Sequence, residues 1–256
     1  MSDGSMQSIP KNLSKAAPSD GNERNTQNKI LRSLPGKESR AVFAVLEFVE
    51  LPTRTILNET ATPIEFAYFV ESGLASVLNI MEDGKSVEVG LMGKEGFAGI
   101  PLLVGFKTSP SRVVMQIGGS AHKIRAKDFA AVLSECPQLE RSLFRLSQEM
   151  AVQSAQVAAC NRLHEVDERL ARWLLMSQDR LGGNKVPLTQ EFLAHMLGTR
   201  RASVTVAAGM LQKAGLIKYT RGEVRIENRR ELEDAACECY ATIVRQSQVW
   251  RSEAEK

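Results

Sequence analysis

The chain has 256 residues, is 43% hydrophobic and 25% charged, and carries a net charge of +3. These are the values of one large or two ordinary globular domains. They exclude a membrane-spanning helix, since no run of about eighteen apolar residues occurs, and no apolar stretch near Met1 reads as a signal peptide. The expected compartment is the cytoplasm, with reduced thiols.

Residues 1–35 are rich in Ser, Asn, Lys, Gly and Pro. They hold few large apolar groups to offset the entropy of ordering, and they read as a disordered tail. From residue 36 to 137 the text turns β-rich. "FAYFVESGLASVLNI" and "KSVEVGLMG" flank Asp83-Gly84, a hairpin signal. "SRVVMQIGGSAHKI" reads as two strands around Gly118-Gly119. Short strands with Gly-containing turns predict a β-roll, or jelly roll. "AKDFAAVLSECP" begins a helix that Pro137 interrupts.

Residues 138–165 form a long helical pattern. Leu139, Leu143, Leu146, Met150, Gln153, Val157 and Cys160 alternate at four- and three-residue steps. That is the spacing of a coiled-coil seam, and it predicts pairing with a second copy of the chain, Gln153 fixing register. The competing assignment is a stripe packed on its own domain.

Residues 166–256 begin with the amphipathic "DERLARWLLMSQDRLGG", stopped by Gly182-Gly183. "LTQEFLAHMLGTRRASVTVAAGMLQKAGLI" follows as two helices around Gly198, with Thr189 capping the first and Thr199 the second. Phe192, Leu193, Met196 and Leu197, then Val204, Ala207 and Leu211, form the inner faces. Arg200, Arg201, Ser203 and Thr205 are left pointing outward. This is the arrangement of a helix-turn-helix, whose second helix presents its N-terminal side chains to the major groove. Arginine suits that place because its planar fork matches guanine O6 and N7. "LIKYTRGEVRI" adds a hairpin, or wing, with cations for phosphates. The candidate DNA-contacting set is Thr189, Gln190, Thr199, Arg200, Arg201, Ser203, Thr205, Lys218, Arg221 and Arg225. From Lys185 to Arg230 nine basic residues face three acidic ones, a local net of +6, which leaves −3 for the remainder. Such concentration is the footprint of polyanion binding.

Cys136, Cys160, Cys237 and Cys239 form no CxxC pair, and no metal site or cofactor is expected from them. Cys237 and Cys239, read as lying on one helix at i and i+2, point to different faces. His122 reads as an ordinary strand residue, His164 as a residue near the hinge below the long helix, and His195 as a backbone or solvent contact.

The layout over residues 36–245 resembles the Crp/Fnr family of bacterial transcription regulators, most strongly in "ERLARWLL" and in Leu188–Ile226. The resemblance implies an α+β chain with a cyclic-nucleotide-binding-like roll, a dimerisation helix and a winged helix-turn-helix. It implies double-stranded DNA, a second copy and RNA polymerase as partners, no membrane association, and Arg201 as the DNA-reading arginine. Ala202 stands where cyclic-AMP receptor proteins carry glutamate, which implies a different operator. Gly99 of the phosphate turn is kept, but Ile100 replaces its glutamate. Ser109 falls at the arginine position, with Arg112 out of register. The adenine-contacting Thr-Ser pair is absent, with Ser154 or Val157-Ala158 in its place. Burying a cyclic phosphate without its cation is costly, so the pocket reads as degenerate and the effector is open. Two alternatives remain: a cyclic-nucleotide sensor with a rebuilt pocket, and a small-molecule binding protein whose winged helix serves protein contact. No GxSxG, P-loop or HExxH supports an enzyme.

Overall fold

The computed structural model describes residues 25–254 apart from Arg221. Two four-stranded antiparallel sheets stack to form the N-terminal roll. The first holds β1 (Glu47–Leu51), β8 (Gly119–Arg125), β3 (Phe66–Val70) and β6 (Phe97–Ala98), in that order. The second holds β2 (Ile56–Asn58), β7 (Arg112–Ile117), β4 (Leu74–Ile80) and β5 (Ser86–Met92). The chain crosses between sheets at Gly118-Gly119, where a Cβ on Gly119 would stand 2.1 Å from the Ser72 carbonyl oxygen. Only glycine fits so close a backbone approach.

The central strands bury apolar residues on both faces because both sheets are covered on both sides there, while β1 at an edge stays largely exposed. Ala67 and Phe69 face a helical layer with Phe129, Leu139 and Leu143. Val70, Ala75, Met92 and Met115 fill the space between the sheets. Leu74, Leu78 and Leu91 turn outward into a third core with Trp173, Leu193 and Met196. The helical layer comprises α1 (Lys29–Arg32), α2 (Gly36–Phe43), α3 (Ala126–Glu135) and the 27-residue α4 (Pro137–Leu163).

Part of the expected disordered tail is ordered. Residues 1–24 lie outside the described residues, but Ile30, Leu31 and Leu34 are buried. The reason is one polar side chain. Asn28 accepts from the Ile30 and Leu31 amides at 3.1 and 3.2 Å, and its Nδ2 donates to the Val70 and Gly96 carbonyls at 2.9 and 3.0 Å. A buried amide with its bonds made stabilises rather than costs. Glu38 likewise caps α4 from outside it, accepting from the Gln138 and Leu139 amides at 3.1 and 3.0 Å. Those amides have no partner within their own helix.

The second half is built around α5 (Val166–Leu181), whose residues Arg169 to Ser177 are all buried. It packs against the outer face of β4 and β5, against the two helices α6 (Gln190–Met196) and α7 (Arg201–Lys213), and against α8 (Arg229–Ala235). A small sheet orders β10 (Ile217–Thr220), β11 (Glu223–Ile226) and β9 (Lys185–Val186). The last helix, α9 (Cys239–Ala254), runs beside α4. No helix among the described residues is long and apolar enough to cross a membrane.

One carboxylate ties the roll to α5. Glu88 on β5 is buried and accepts from Trp173 Nε1 at 2.8 Å, from Gln116 Nε2 at 2.9 Å and from the Ser76 hydroxyl. Burial pushes its carboxyl up from the ordinary 4.5 to about 7, against the pull of those bonds and of the Arg172 charge. A raised native value means that the folded state binds more protons than the unfolded one between these two values. Its contribution to stability therefore falls as pH rises through that window. Glu88→Gln removes the slope. Urea unfolding of the variant should gain on the parent by about 1–3 kcal/mol between about pH 5 and pH 8.

Candidate nucleic-acid interface

The two helices that follow β9 are placed by local chemistry. Thr189 caps α6, its hydroxyl accepting from the Phe192 amide at 3.3 Å. Gly198 turns the chain with φ +57°, and the Thr199 amide closes the turn on the Ala194 carbonyl at 3.0 Å. Val204, Ala207, Ala208 and Leu211 form the buried stripe of α7. Arg201, Ala202, Thr205, Val206, Gly209 and Met210 are exposed on the opposite side. No carboxylate occurs anywhere on α7. Gln190 links the helices by accepting from the Thr205 hydroxyl at 2.9 Å.

Two expected details differ. The residue at the N-cap of α7 is Arg200, and no side chain caps that end, so Thr199 does not serve there. Ser203 is half-buried, not outward. At 100° per residue it falls at the margin between the buried stripe and the exposed one. Val206 and Met210, 64% and 54% exposed, occupy the face that sequence reasoning left to polar residues.

On the small sheet, Tyr219, Val224 and Val186 share the inner face while Lys218, Arg225 and Lys185 stand directly opposite one another on the outer face. Like charges in register across strands repel. Partial relief comes from Glu227, 2.7 Å from Arg225, and Glu223, 3.8 Å from Lys185. Lys218 is exposed. Arg221 lies outside the described residues. Arg229, counted in the basic stretch, is spent internally on Asp179 and Glu233, both at 2.8 Å.

The expected pairing seam is turned inward. Leu139, Leu143 and Leu146 belong to the core under the first sheet, and Met150 is half-buried against it. Gln153 donates to the Leu91 carbonyl at 3.2 Å and accepts from Arg180 at 3.1 Å. Val157 and Cys160 are also buried within the chain. A period of 3.5 residues marks a buried stripe without saying what buries it. The outward face of α4 instead carries Phe144, Gln148, Ala151, Ala155, Ala158 and Arg162, all exposed and also at heptad spacing.

In the roll, Gly99 adopts φ +147° and Ile100 starts a short 3₁₀ segment to Val104. Arg112 is committed to Glu59, with Nε 3.0 Å from both carboxylate oxygens and a second nitrogen at 2.8 Å. The Ser109 hydroxyl donates to the Ser111 carbonyl at 2.8 Å.

Sequence reasoning missed one cluster. Residues 236–238 break the helical run between α8 and α9, so Cys237 and Cys239 do not diverge as two residues of one helix would. The ligand atoms of Cys160, His164, Cys237 and Cys239 all lie within 4.8 Å of one another. Hydrogen bonding to Cys237 holds the Cys160 thiol below its usual range, and the same contact pushes Cys237 up. The available signal was Cys160-x₃-His164, one helical turn, joined to Cys237-x-Cys239.

Residues 168–235 match the Crp-like helix-turn-helix domain. Among solved structures, the chain is similar to a putative transcriptional regulator of the crp/fnr family from Eubacterium rectale (16% identity, TM-score 0.63, 82% of this chain and 98% of that one). It is similar to FixK2 from Bradyrhizobium japonicum (16%, 0.65, 75% and 98%). It also resembles the c-di-GMP-responsive global regulator CLP of Xanthomonas campestris (18%, 0.62, 76% and 100%). At these identities the likeness is one of fold. No curated protein sequence matches the chain.

The turn between α6 and α7 depends on Gly198. A Cβ there would stand 3.2 Å from Val87 Cγ2 on β5 and would hold a left-handed backbone. Gly198→Ala should lower unfolding free energy by about 1–2 kcal/mol in chemical denaturation.

Proposed function

We propose that this chain, which has the fold of the Crp/Fnr regulators and carries a Crp-like helix-turn-helix domain, is a homodimeric, sequence-specific DNA-binding regulator of transcription acting in the cytoplasm. The observation that carries this reading is the exposed face of α7, which is free of carboxylates and headed by Arg200 and Arg201. Arg201 reads a guanine edge, Val206 supplies an apolar contact for a thymine methyl, and Arg200 with the uncapped amides of α7 holds phosphate. Thr189, Gln190, Thr199, Ser203 and Thr205 border this face and contact the backbone around it. Lys218, Arg225 and Arg221 of the wing bind phosphates, and a polyanion relieves the repulsion across the Lys185–Arg225–Lys218 row.

Dimerisation uses the outward face of α4. Alanines at 151, 155 and 158 let two helices approach closely, and Phe144 anchors one end. Two α7 helices then enter successive major grooves about 34 Å apart on a pseudo-palindrome. The roll responds to an effector other than cyclic AMP, because Arg112, the arginine that follows the phosphate turn, is held by Glu59 and Ile100 supplies no ribose acceptor. Contacts such as Val87 against Gly198 pass the state of the roll to the DNA-binding unit by population shift.

Selection of genomic fragments by the purified protein, at about 0.15 M salt with and without cyclic AMP, should enrich one palindromic motif in both conditions. Enrichment that requires cyclic AMP overturns the reading of Ile100 and Arg112. On the enriched site, Arg201→Ala should cost about 1–3 kcal/mol and relax base choice at one position, whereas Lys218→Ala should weaken all sequences alike and reduce the salt slope by about one. Ala155→Glu places a charge on the pairing face, and sedimentation should show it as a monomer where the parent is a dimer.

A further inference from the structure

We infer that Cys160, His164, Cys237 and Cys239 form a tetrahedral site for a single Zn²⁺ ion that fastens the α8–α9 junction to the lower end of α4. The Cys160 and Cys237 sulfurs are 3.4 Å apart, and Cys239 Sγ is 3.5 Å from His164 Nδ1. With Zn–S bonds of about 2.3 Å, tetrahedral geometry places neighbouring ligand atoms about 3.8 Å apart. The four atoms here need only small adjustments to reach that, whereas an iron–sulfur cluster needs its thiolates spread around several metal atoms. Three thiolates and one imidazole are a closed ligand set of the structural kind, with no position left for water.

The surroundings are built for such a set. His164 Nε2 is 3.1 Å from Glu238 Oε2, so the ring donates outward and turns the Nδ1 lone pair toward the sulfurs. Carboxylate–histidine–metal relays have this arrangement. Gln156 Nε2 donates to Cys239 Sγ at 3.1 Å. A zinc with three thiolates carries net charge −1. Arg169 and Arg172, both buried, lie within electrostatic reach of Cys160 and balance it, and the Nε of each lacks a hydrogen-bond partner among the described residues. A disulfide between Cys160 and Cys237 uses two of the four groups and leaves the convergence of Cys239 and His164 unexplained.

The ligands come from two segments 77 residues apart. Cys160 lies in the last turn of α4, and His164 is the first of the two extended residues between α4 and α5. Cys237 and Cys239 lie where α8 gives way to α9. The ion thus joins the final segment of the chain to the bend between the long helix and the DNA-binding unit. This inference stands apart from the DNA-binding reading, since it concerns metal content and not an operator.

The test is elemental analysis of the full chain, purified with reductant and without chelator. The expected result is one zinc per chain, retained in Cys136→Ser, whose thiol lies elsewhere, and lost in Cys160→Ser, Cys237→Ser and Cys239→Ser. Glu238→Gln should keep the site and weaken zinc affinity about tenfold in competition with a chromophoric chelator. Should the serine variants fail to fold, metal-stripped parent protein decides the matter. Added Co²⁺ should give thiolate charge-transfer and tetrahedral ligand-field bands, and added Zn²⁺ should suppress proteolytic cleavage at residues 236–238. A parent protein that holds no zinc after purification and shows no cobalt bands overturns the proposal. So does a metal-free protein with a Cys160–Cys237 disulfide.

Discussion

Everything in the second half of the chain depends on one helix whose middle has no solvent face. From Arg169 to Ser177 every residue of α5 is buried, so its surroundings must cover apolar groups and satisfy polar ones in all directions. Leu74, Leu78 and Leu91 cover one side, α6 and α7 another, and α8 with Tyr240 a third. The Trp173 indole is satisfied by Glu88, which reaches across from the roll, and the Ser177 hydroxyl by the Trp173 carbonyl. A buried polar group without a partner costs more than a made bond gains. The Glu88–Trp173 bond therefore specifies how the two halves sit together more than it adds to their stability.

The same arrangement brings the helix-turn-helix against the roll. Gly198 faces Val87 on β5, and Leu193 and Met196 share a core with β4 and β5. The exposed side of α7 points away from this contact and stays open. A change in the β4–β5 hairpin reaches the turn directly, and the exposed start of α7 at Arg200 and Arg201 follows immediately after it.

What could be read in the sequence follows from how local each signal is. The helix-turn-helix was legible because a cap at Thr189, a left-handed turn at Gly198 and a small-residue stripe on α7 are all set within a few residues. The stripe from Leu139 to Cys160 was read as burial correctly and as pairing wrongly, since periodicity carries no information on the covering partner. Residues 25–34 looked too polar to order, because the count of apolar groups could not register that Asn28 makes four bonds at once. The cysteine cluster escaped because the break at 236–238 has neither proline nor glycine to announce it, and helical geometry was extended through it.

The strand pairing also bears on the order in which the molecule assembles. β1 lies beside β8, with Glu47 opposite Lys123. A chain growing from its N-terminus cannot close the first sheet until the far side of the roll has been made. Until then β1 and β3 expose unpaired edges, the condition that favours association between chains. The helix-turn-helix and wing, by contrast, draw most of their contacts from α5 onward, those of α6 to β5 aside, and such topologies close quickly. Assembly is therefore slow at the front and fast at the back, and the interval before residue 125 is synthesised is when a nascent chain most needs protection.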